Sequence, residues 1–297
     1  MFGCMEQDPQ IKVSASSYYF VDTLPSLFFE SEMGVEGEIY WIEDQALKKG
    51  VSLYSWTFMP NDIEKYRAVS GTMELKKVDK LFRDQTLDEP TQTWEEGKSY
   101  AYVNCIFSSP ITQTLPKPVD VEFANCEFLN QVAGSSNLNL SSINSLIIDG
   151  CKFNYTPSEK DMIFNNIIDL DLYNCKTSNI TITNNSFSTK NSSPVYAISL
   201  KTKQISANTP MLLSETNFSG EICGSVLISN NEFLNNTNNI NLGENLGETT
   251  TNNLKKFNVK IKNNYENLNI YENYENQCEK QEYKVVEKNK TKQFKVN

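Results

Sequence analysis

Asp169 and Asp171 flank Leu170 in the segment NIIDLD, and strand alternation would place both carboxylates on one outward face about 7 Å apart. A pair at that separation leaves room for the water of an inverting glycosidase. Alternating carboxylates are equally the ordinary means by which a solvent-facing strand stays soluble. Other chemistry-bearing residues are scarce. The chain contains no His, and its only arginines, Arg67 and Arg83, lie in the first third. Asp149 and Lys152 bracket Gly150 and share a face or its rim, without a second carboxylate cluster that could hold calcium beside a base. Cys105, Cys126, Cys151 and Cys175 recur at intervals of 21, 25 and 24 residues, with no CxxC or His near them, so neither a metal site nor a cofactor is expected. They fit better as packed, reduced thiols, which behave as small hydrophobes. Catalysis requires an acid, a base or an electrophile matched to the transition state, and only Asp169 and Asp171 are placed to serve.

The elements that would position these groups are repeats. In VEFANCEFLN, Val121 and Phe123 occupy alternate positions, followed by a spacer, Asn125, the small Cys126 and then Phe128. The same order is read in Ala101, Val103, Asn104, Cys105 and Phe107, with the spacer lost, and in Leu146, Ile148, Gly150, Cys151 and Phe153. It is read again in Leu170, Leu172, Asn174, Cys175 and Thr177, then in Ile180, Ile182, Asn184 and Phe187, and in Val226, Ile228, Asn230 and Phe233. Val259, Ile261 and Asn263 form a weaker copy. Apolar alternation marks a short strand with one face inward. Asn and Gly readily adopt a left-handed backbone, so the slot after the spacer is a corner. Intervals of 21 to 25 residues between corners belong to repeat architectures. Between Asn174 and Asn184 only ten positions intervene, which would put two corners in one turn, and the 46 positions from Asn184 to Asn230 would hold two coils, with Val195–Leu200 and Met211–Leu213 as strands and Asn217 and Phe218 as an out-of-register corner.

A leucine-rich repeat would need a wider gap before the Asn and a helix after it. The pattern over residues 98–276 instead resembles the right-handed parallel β-helix repeats of the pectate-lyase-like superfamily. It is more loosely similar to the polymorphic outer-membrane-protein adhesins, through the Phe-x-x-Asn at Phe233–Asn236. The resemblance implies an all-β fold, a single-stranded right-handed parallel β-helix of six or seven coils, and a cell-surface or extracellular location. It also brings polysaccharide cleavage into consideration. The hydrolase branch's His motif and the lyase branch's Arg or Lys beside calcium-bound carboxylates are not found.

Composition sets the organisation. The first hundred residues contain a single Asn, Asn61, whereas thirty-five follow. This change divides the chain into residues 1–97, an N-terminal cap or small β-rich region, residues 98–276, the β-helix, and residues 277–297, a lysine- and glutamate-rich mobile polar tail. Within the first region Ile11–Ala15, Glu38–Ile42 and Val51–Phe58 read as strands. Leu75, Val78 and Phe82 fall at helical spacing and predict a helix over residues 72–85. Polar stretches at Ala133–Asn137, Thr189–Pro194 and Asn241–Lys256 read as protruding loops.

The net charge of −10 speaks against nucleic-acid binding, which needs a basic face. The longest apolar run, Ser17–Phe29, is broken by Asp22 and Pro25 and is too short to span a membrane. Residues 1–10 lack the basic-then-apolar plan of a signal peptide. Sequons at Asn139, Asn154, Asn179, Asn184, Asn191, Asn217, Asn235 and Asn289 arise readily in a chain so rich in Asn, Ser and Thr, and matter only in a secretory pathway. The expected function is non-catalytic: an adhesin-like or scaffold solenoid whose lateral faces bind a glycan or protein surface. The alternative is an unusual or degenerate carbohydrate-active enzyme. An exposed face that concentrates carboxylates with Tyr or Trp would favour the enzyme, and one of Asn, Ser and Thr the binder.

Overall fold

The structure, a computed structural model, describes residues 7–16, 18–42, 46–87, 94–113, 118–129, 135–141, 143–157, 166–171, 178–190, 195–201, 224–235, 237, 239–242, 257–262, 264, 268–272, 283–287 and 290–294. Among these residues there is no helix, and the chain is all-β. It divides into two compact units, Met1–Leu81 and Phe82–Asn297.

The first unit contains β1 (Ile11–Ser14), β2 (Tyr18–Tyr19), β3 (Phe28–Ser31), β4 (Gly37–Trp41), β5 (Gly50–Pro60) and β6 (Val69–Lys77). The three predicted strands fall on β1, β4 and β5. Strands β1 and β3 pair antiparallel, and a second sheet runs in the order β2-β6-β5-β4. The predicted helix over residues 72–85 is not formed. Val69, Gly71, Met73 and Leu75 alternate along β6, which pairs antiparallel with β5. After a turn at Val78 and Asp79 the chain continues as β7 (Lys80–Arg83). Leu75 and Val78 are both buried, so their helix-like spacing comes from a strand end followed by a turn. Two small cores result, one of Val35, Phe58 and Tyr66, the other of Leu47, Tyr54 and Leu75.

In the second unit the chain visits three sheets in turn. The first sheet receives β9 (Ser99–Val103), β12 (Asp120–Ala124), β15 (Ser145–Asp149), β18 (Ser178–Thr183), β21 (Gly224–Ser229) and β24 (Phe257–Lys262), with β7 at its head. The second receives β8 (Thr86–Leu87), β10 (Ile106–Phe107), β13 (Glu127–Phe128), β16 (Lys152–Tyr155), β19 (Ser186–Thr189) and β22 (Glu232–Phe233). The third receives β11 (Ile111–Thr112), β14 (Leu138–Ser141), β17 (Asn166–Asp171), β20 (Tyr196–Lys201), β23 (Asn239–Leu242) and β25 (Asn269–Glu272). Within these three sheets, from β9 to β25, neighbouring strands pair parallel, in unbroken register except for one irregularity between β20 and β23. Each circuit of the three sheets is one coil, an arrangement consistent with a parallel β-helix-like solenoid. Residues 277–297, which their charge pattern reads as a mobile tail, contain β26 (Tyr283–Glu287) paired antiparallel with β27 (Lys290–Phe294).

The corner between the first and second sheets takes the predicted form. Asn104, Asn125, Gly150, Asn184 and Asn230 all have positive φ, between 53° and 65°, and Asp84 precedes them at 52°. Asn and Asp tolerate this conformation because their short polar side chains bond locally. At Gly150 an added Cβ would meet Asn125 Oδ1, so a side chain there would require the Asn125 amide to shift.

Register corrects several sequence readings. Tyr100 pairs with Val121 and Tyr102 with Phe123, so the inward residues of the first coil are the two tyrosines; Val103 is the spacer, and none is lost. Their hydroxyls are satisfied inside: Trp94 Nε1 donates to Tyr102 Oη at 3.0 Å and Glu95 N to Tyr100 Oη at 2.7 Å. Leu170 belongs to β17 in the third sheet, between Leu140 and Leu200, and is not a corner-sheet residue. Asn174, Cys175 and Thr177 lie outside the described residues. Ile180 pairs directly with Val226, so Asn184 to Asn230 is one coil rather than two. Val195–Leu200 contributes to β20, the third strand of that coil, while Met211–Leu213, Asn217 and Phe218 lie outside the described residues. Of the expected loops, Asn137 is buried, and its Nδ2 donates to the Phe128 carbonyl at 3.3 Å.

The interior is layered. Phe107, Phe128, Phe153, Phe187 and Phe233 stack face to face at successive centroid distances of 4.9, 4.5, 4.9 and 5.2 Å, with interplanar angles of 14° or less. Beside them runs a column that begins as Cys105, Cys126 and Cys151 and continues as Asn185, Asn231 and Asn264. Each Asn accepts, through Oδ1, the backbone N–H of the preceding coil's column residue, at 2.8 to 3.0 Å. Each donates Nδ2 to a carbonyl of that coil, Ile148, Ile182 or Ile228. The small-residue slot therefore serves two chemistries, a thiol packed in the core and a ladder of buried amides.

Candidate functional site

The three described thiols are free and buried. Cys126 Sγ donates to the Tyr102 carbonyl at 3.3 Å and Cys151 Sγ to the Phe123 carbonyl at 3.4 Å, so each also serves as a weak donor to the neighbouring coil. The bond with Cys105 pulls the Cys126 pKa down, but the Cys151 thiol and burial outweigh it and push it up to about 12. The Cys105 thiol is raised too, by its bond with Cys126 and by burial. A raised folded-state pKa favours the protonated thiol. Its stabilisation is complete below the ordinary thiol value of 9.0 and is lost as pH climbs towards 12. The denaturation midpoint should accordingly fall as pH rises through this window, less steeply in Cys126→Ser, and native thiol labelling at neutral pH should be slow. An equal slope in both proteins, or rapid native labelling of Cys126 and Cys151, would place the thiols in solvent.

Asp169 stands on β17 between Ile168 and Leu170, both of which face the core, so alternation turns its own side chain away from the interior. Yet Asp169 is only 8 % exposed. Its register partners on the same side, Ser199 and then Asn241, are buried as well, as are the outward Ile167 and Ala197. The expected open carboxylate face is thus a covered one at Asp169. Asp171 occupies the register position between Ser141 and Lys201.

The outward columns of the first sheet are open in part: Asp120, Asn179, Ser225, Lys260 and Lys262 are exposed, whereas Ser99, Ala101, Glu122, Ala124 and Ser229 are buried. One outward column runs Val103, Ala124, Asp149, Thr183, Ser229 and Lys262, and another runs Ser99, Asp120, Ser145, Asn179 and Ser225. Between them lie Ala101, Glu122, Ile147, Thr181, Leu227 and Lys260. From the third coil on, the first two columns are mainly hydroxyls and amides, repeated at the strand spacing of about 4.8 Å. Among the described outward positions of the first and second sheets there is no aromatic residue. The carboxylates at the rim are engaged within the ladder. Asp84 Oδ1 accepts Asn104 Nδ2 at 3.0 Å, and Asp149 Oδ1 accepts Thr183 Oγ1 at 2.8 Å and Asn184 Nδ2 at 2.6 Å. On the second sheet Asn154 Nδ2 donates to Glu127 Oε1 at 3.4 Å, while Asn154 Oδ1 accepts Ser188 Oγ at 2.8 Å. Ser225 Oγ donates to Asn179 Oδ1 at 3.0 Å.

What this surface offers chemically is a set of hydroxyl and amide donors and acceptors, partly spent on one another, with the exposed charges Asp120, Lys260 and Lys262 among them. Sequence reasoning named Asn179 only as a sequon and did not single out Thr181 and Thr183 on β18, although the alternation in SNITIT carries the signal. Asp149 and Lys152, read as sharing a face or rim, fall on different sheets across the Gly150 corner. Among the described residues no group of three or more Cys, Asp or Glu could hold a metal ion, and no helix is long and apolar enough to cross a membrane. No family model, no curated protein and no solved structure matches the chain.

Proposed function

We propose that the second unit is a single-stranded, right-handed parallel β-helix of the pectate-lyase-like kind that presents the lateral face of its first sheet for non-catalytic binding, adhesin-like or as a scaffold, to a glycan or protein surface. Right-handedness follows from the general chirality of parallel strand connections. The reading is carried by the array of hydroxyls and amides on the outward columns, unaccompanied by aromatics and with its rim carboxylates engaged in hydrogen bonds. Sugar-cleaving sites need free carboxylates to transfer protons. The engagement of Asp84 and Asp149 and the burial of Asp169 weigh against that alternative.

The test has two arms. In the first, the protein is incubated with acidic and neutral polysaccharides, with and without calcium, and reducing ends and unsaturated products are measured; none should accumulate. Turnover abolished by Asp169→Asn or Asp171→Asn would establish the enzyme instead. In the second, binding to immobilised glycans and to cell-surface protein is measured for the wild type and for Thr181→Lys/Thr183→Lys/Ser225→Lys. Saturable binding that weakens about tenfold or more in the variant is expected, because three added ammonium groups would disrupt the hydroxyl and amide array. Binding unaffected by the substitutions would move the site to another face.

A further inference from the structure

Among the residues whose burial is described, the large hydrophobic side chains that stand exposed all lie between Phe20 and Ile63. Five of them share one face of the antiparallel sheet of the first unit: Tyr40 on β4, Ile42 just after it, and Val51, Leu53 and Met59 on β5. Exposed apolar patches of this kind mark interaction surfaces. Among the described residues β4 pairs with β5 alone in its sheet, so the patch borders a sheet edge.

The direction of the edge groups follows from the register. Ile42 N donates to the Ser55 carbonyl and Asn61 N to the Glu36 carbonyl, both at 2.9 Å. Antiparallel pairs alternate between bonded and non-bonded positions, so Glu36, Glu38, Tyr40 and Ile42 bond towards β5. The N–H and C=O groups of Gly37, Ile39 and Trp41 therefore point to the side where the sheet ends. Natural edges are guarded by Lys, Pro, a bulge or a cover. The stretch from Gly37 to Ile42 contains neither Lys nor Pro, and its register with β5 is regular.

The charge of the edge is uneven. Glu36 and Glu38 are exposed at the Gly37 end, and Asp62 and Glu64 follow Pro60, which pairs with Gly37. The nearby Lys65 is turned onto the Tyr66 ring, 5.0 Å from its centroid. An occupant of this edge should be an extended strand that is basic where it meets the two glutamates and apolar where it meets Tyr40. Such a strand exists in the chain itself. Residues 283–294 contain Lys284, Lys288, Lys290 and Lys292 against the single Glu287, and β27 reads Lys-Thr-Lys-Gln-Phe at the edge of its two-stranded sheet. Laid parallel to β4, it would set Lys290 beside Glu36, Lys292 beside Glu38 and Phe294 beside Tyr40.

The geometry points to head-to-tail self-association, in which β27 of one copy adds as a parallel strand to the β4 edge of the next. Because the two surfaces differ, the contact is heterologous, and it builds rings or open filaments rather than a closed two-fold dimer.

Sedimentation velocity on the full chain and two variants decides this. The wild type should gain mass with concentration beyond two protomers, and lose it in high salt, which screens the lysine–glutamate pairs. A chain ending at Asn276 lacks the strand, and Tyr40→Lys/Ile42→Lys places repelling ammonium groups on the exposed edge; each should sediment as a protomer. Mixed in equal amounts, the two should form a species of two protomers and stop there, since each supplies the half the other lacks. Glu38→Lys should associate roughly tenfold more weakly, and Lys292→Glu added to it should restore association. This swap also decides the matter if the Tyr40/Ile42 variant loses its fold. A wild type that stays a protomer, a truncated chain that associates like the wild type, or a mixture that remains at protomer mass would overturn the inference. None of these outcomes bears on lateral-face binding.

Discussion

Phe128→Ala is expected to cost about 3–5 kcal/mol of stability, the range for emptying a buried aromatic site. The ring is fully buried between Phe107 at 4.9 Å and Phe153 at 4.5 Å, with Phe123 edge-on at 5.4 Å, so the substitution removes two stacking partners' contacts and one T-shaped contact as well as apolar burial. The column cannot close over the gap, because each coil is held at its height by parallel hydrogen bonds on both sides. A loss of this size is a large part of the 5–15 kcal/mol by which domains are ordinarily stable. Denaturant unfolding followed by a probe in the second unit should show it. Phe128→Leu, which keeps most of the volume, should recover more than half of the loss. An unchanged midpoint in Phe128→Ala would take the ring out of the core.

Asn231→Leu should destabilise by a similar amount through a different cause. Asn231 Oδ1 accepts the Asn185 N–H at 3.0 Å and its Nδ2 donates to the Ile182 carbonyl at 2.9 Å, all in the buried interior. Leu has nearly the same shape but leaves both groups without these bonds. At roughly 1–3 kcal/mol for each orphaned buried polar group, the deficit is about 2–6 kcal/mol. Asn231→Asp separates polarity from shape. It keeps the acceptor for Asn185, but a carboxylate cannot donate to Ile182, and burial raises its folded pKa above that of the unfolded chain. The stabilising form is then the protonated acid, complete below the unfolded pKa of about 3.9 and lost as pH rises. The deficit of Asn231→Asp should therefore shrink on acidification while that of Asn231→Leu does not. If Leu is tolerated at no cost, the amide ladder contributes nothing to folding.

The corner was legible in the sequence because a left-handed residue is a local requirement. Asn104, Asn125, Gly150, Asn184 and Asn230 were all recognised by type, and all carry positive φ. The aromatic three positions beyond each corner was legible for the same reason, since corner and strand lie within a few bonds of each other. The tyrosines of the first coil were passed over in favour of Ala101 and Val103. A Tyr counts as inward only once its hydroxyl has a partner, and those partners, Trp94 Nε1 and Glu95 N, come from a segment that the repeat does not include.

Coil lengths were misread because pairing depends on register and scarcely on the length of chain between strands, as closing a longer loop costs little more. Thus Gly150 and Asn184 are neighbours across 34 residues and Asn184 and Asn230 across 46, while the nearer Leu170 belongs to another sheet. The doublets Asn184-Asn185, Asn230-Asn231 and Asn263-Asn264 show the same division. The first two begin with a left-handed residue, as local chemistry requires. Only stacking decides that the second member turns inward, where another coil supplies the N–H and the carbonyl that make a buried amide tolerable. For the candidate site the balance was reversed. Alternation alone sends Asp169 outward, and exposure is a property of what the rest of the molecule places over that face. The sequence by itself determined the short strands, their corners and their inward aromatics, all of which depend on interactions within a few residues; the tertiary structure decided which strands are neighbours, which amides are buried and which carboxylates reach water, because each of these depends on a partner far away along the chain.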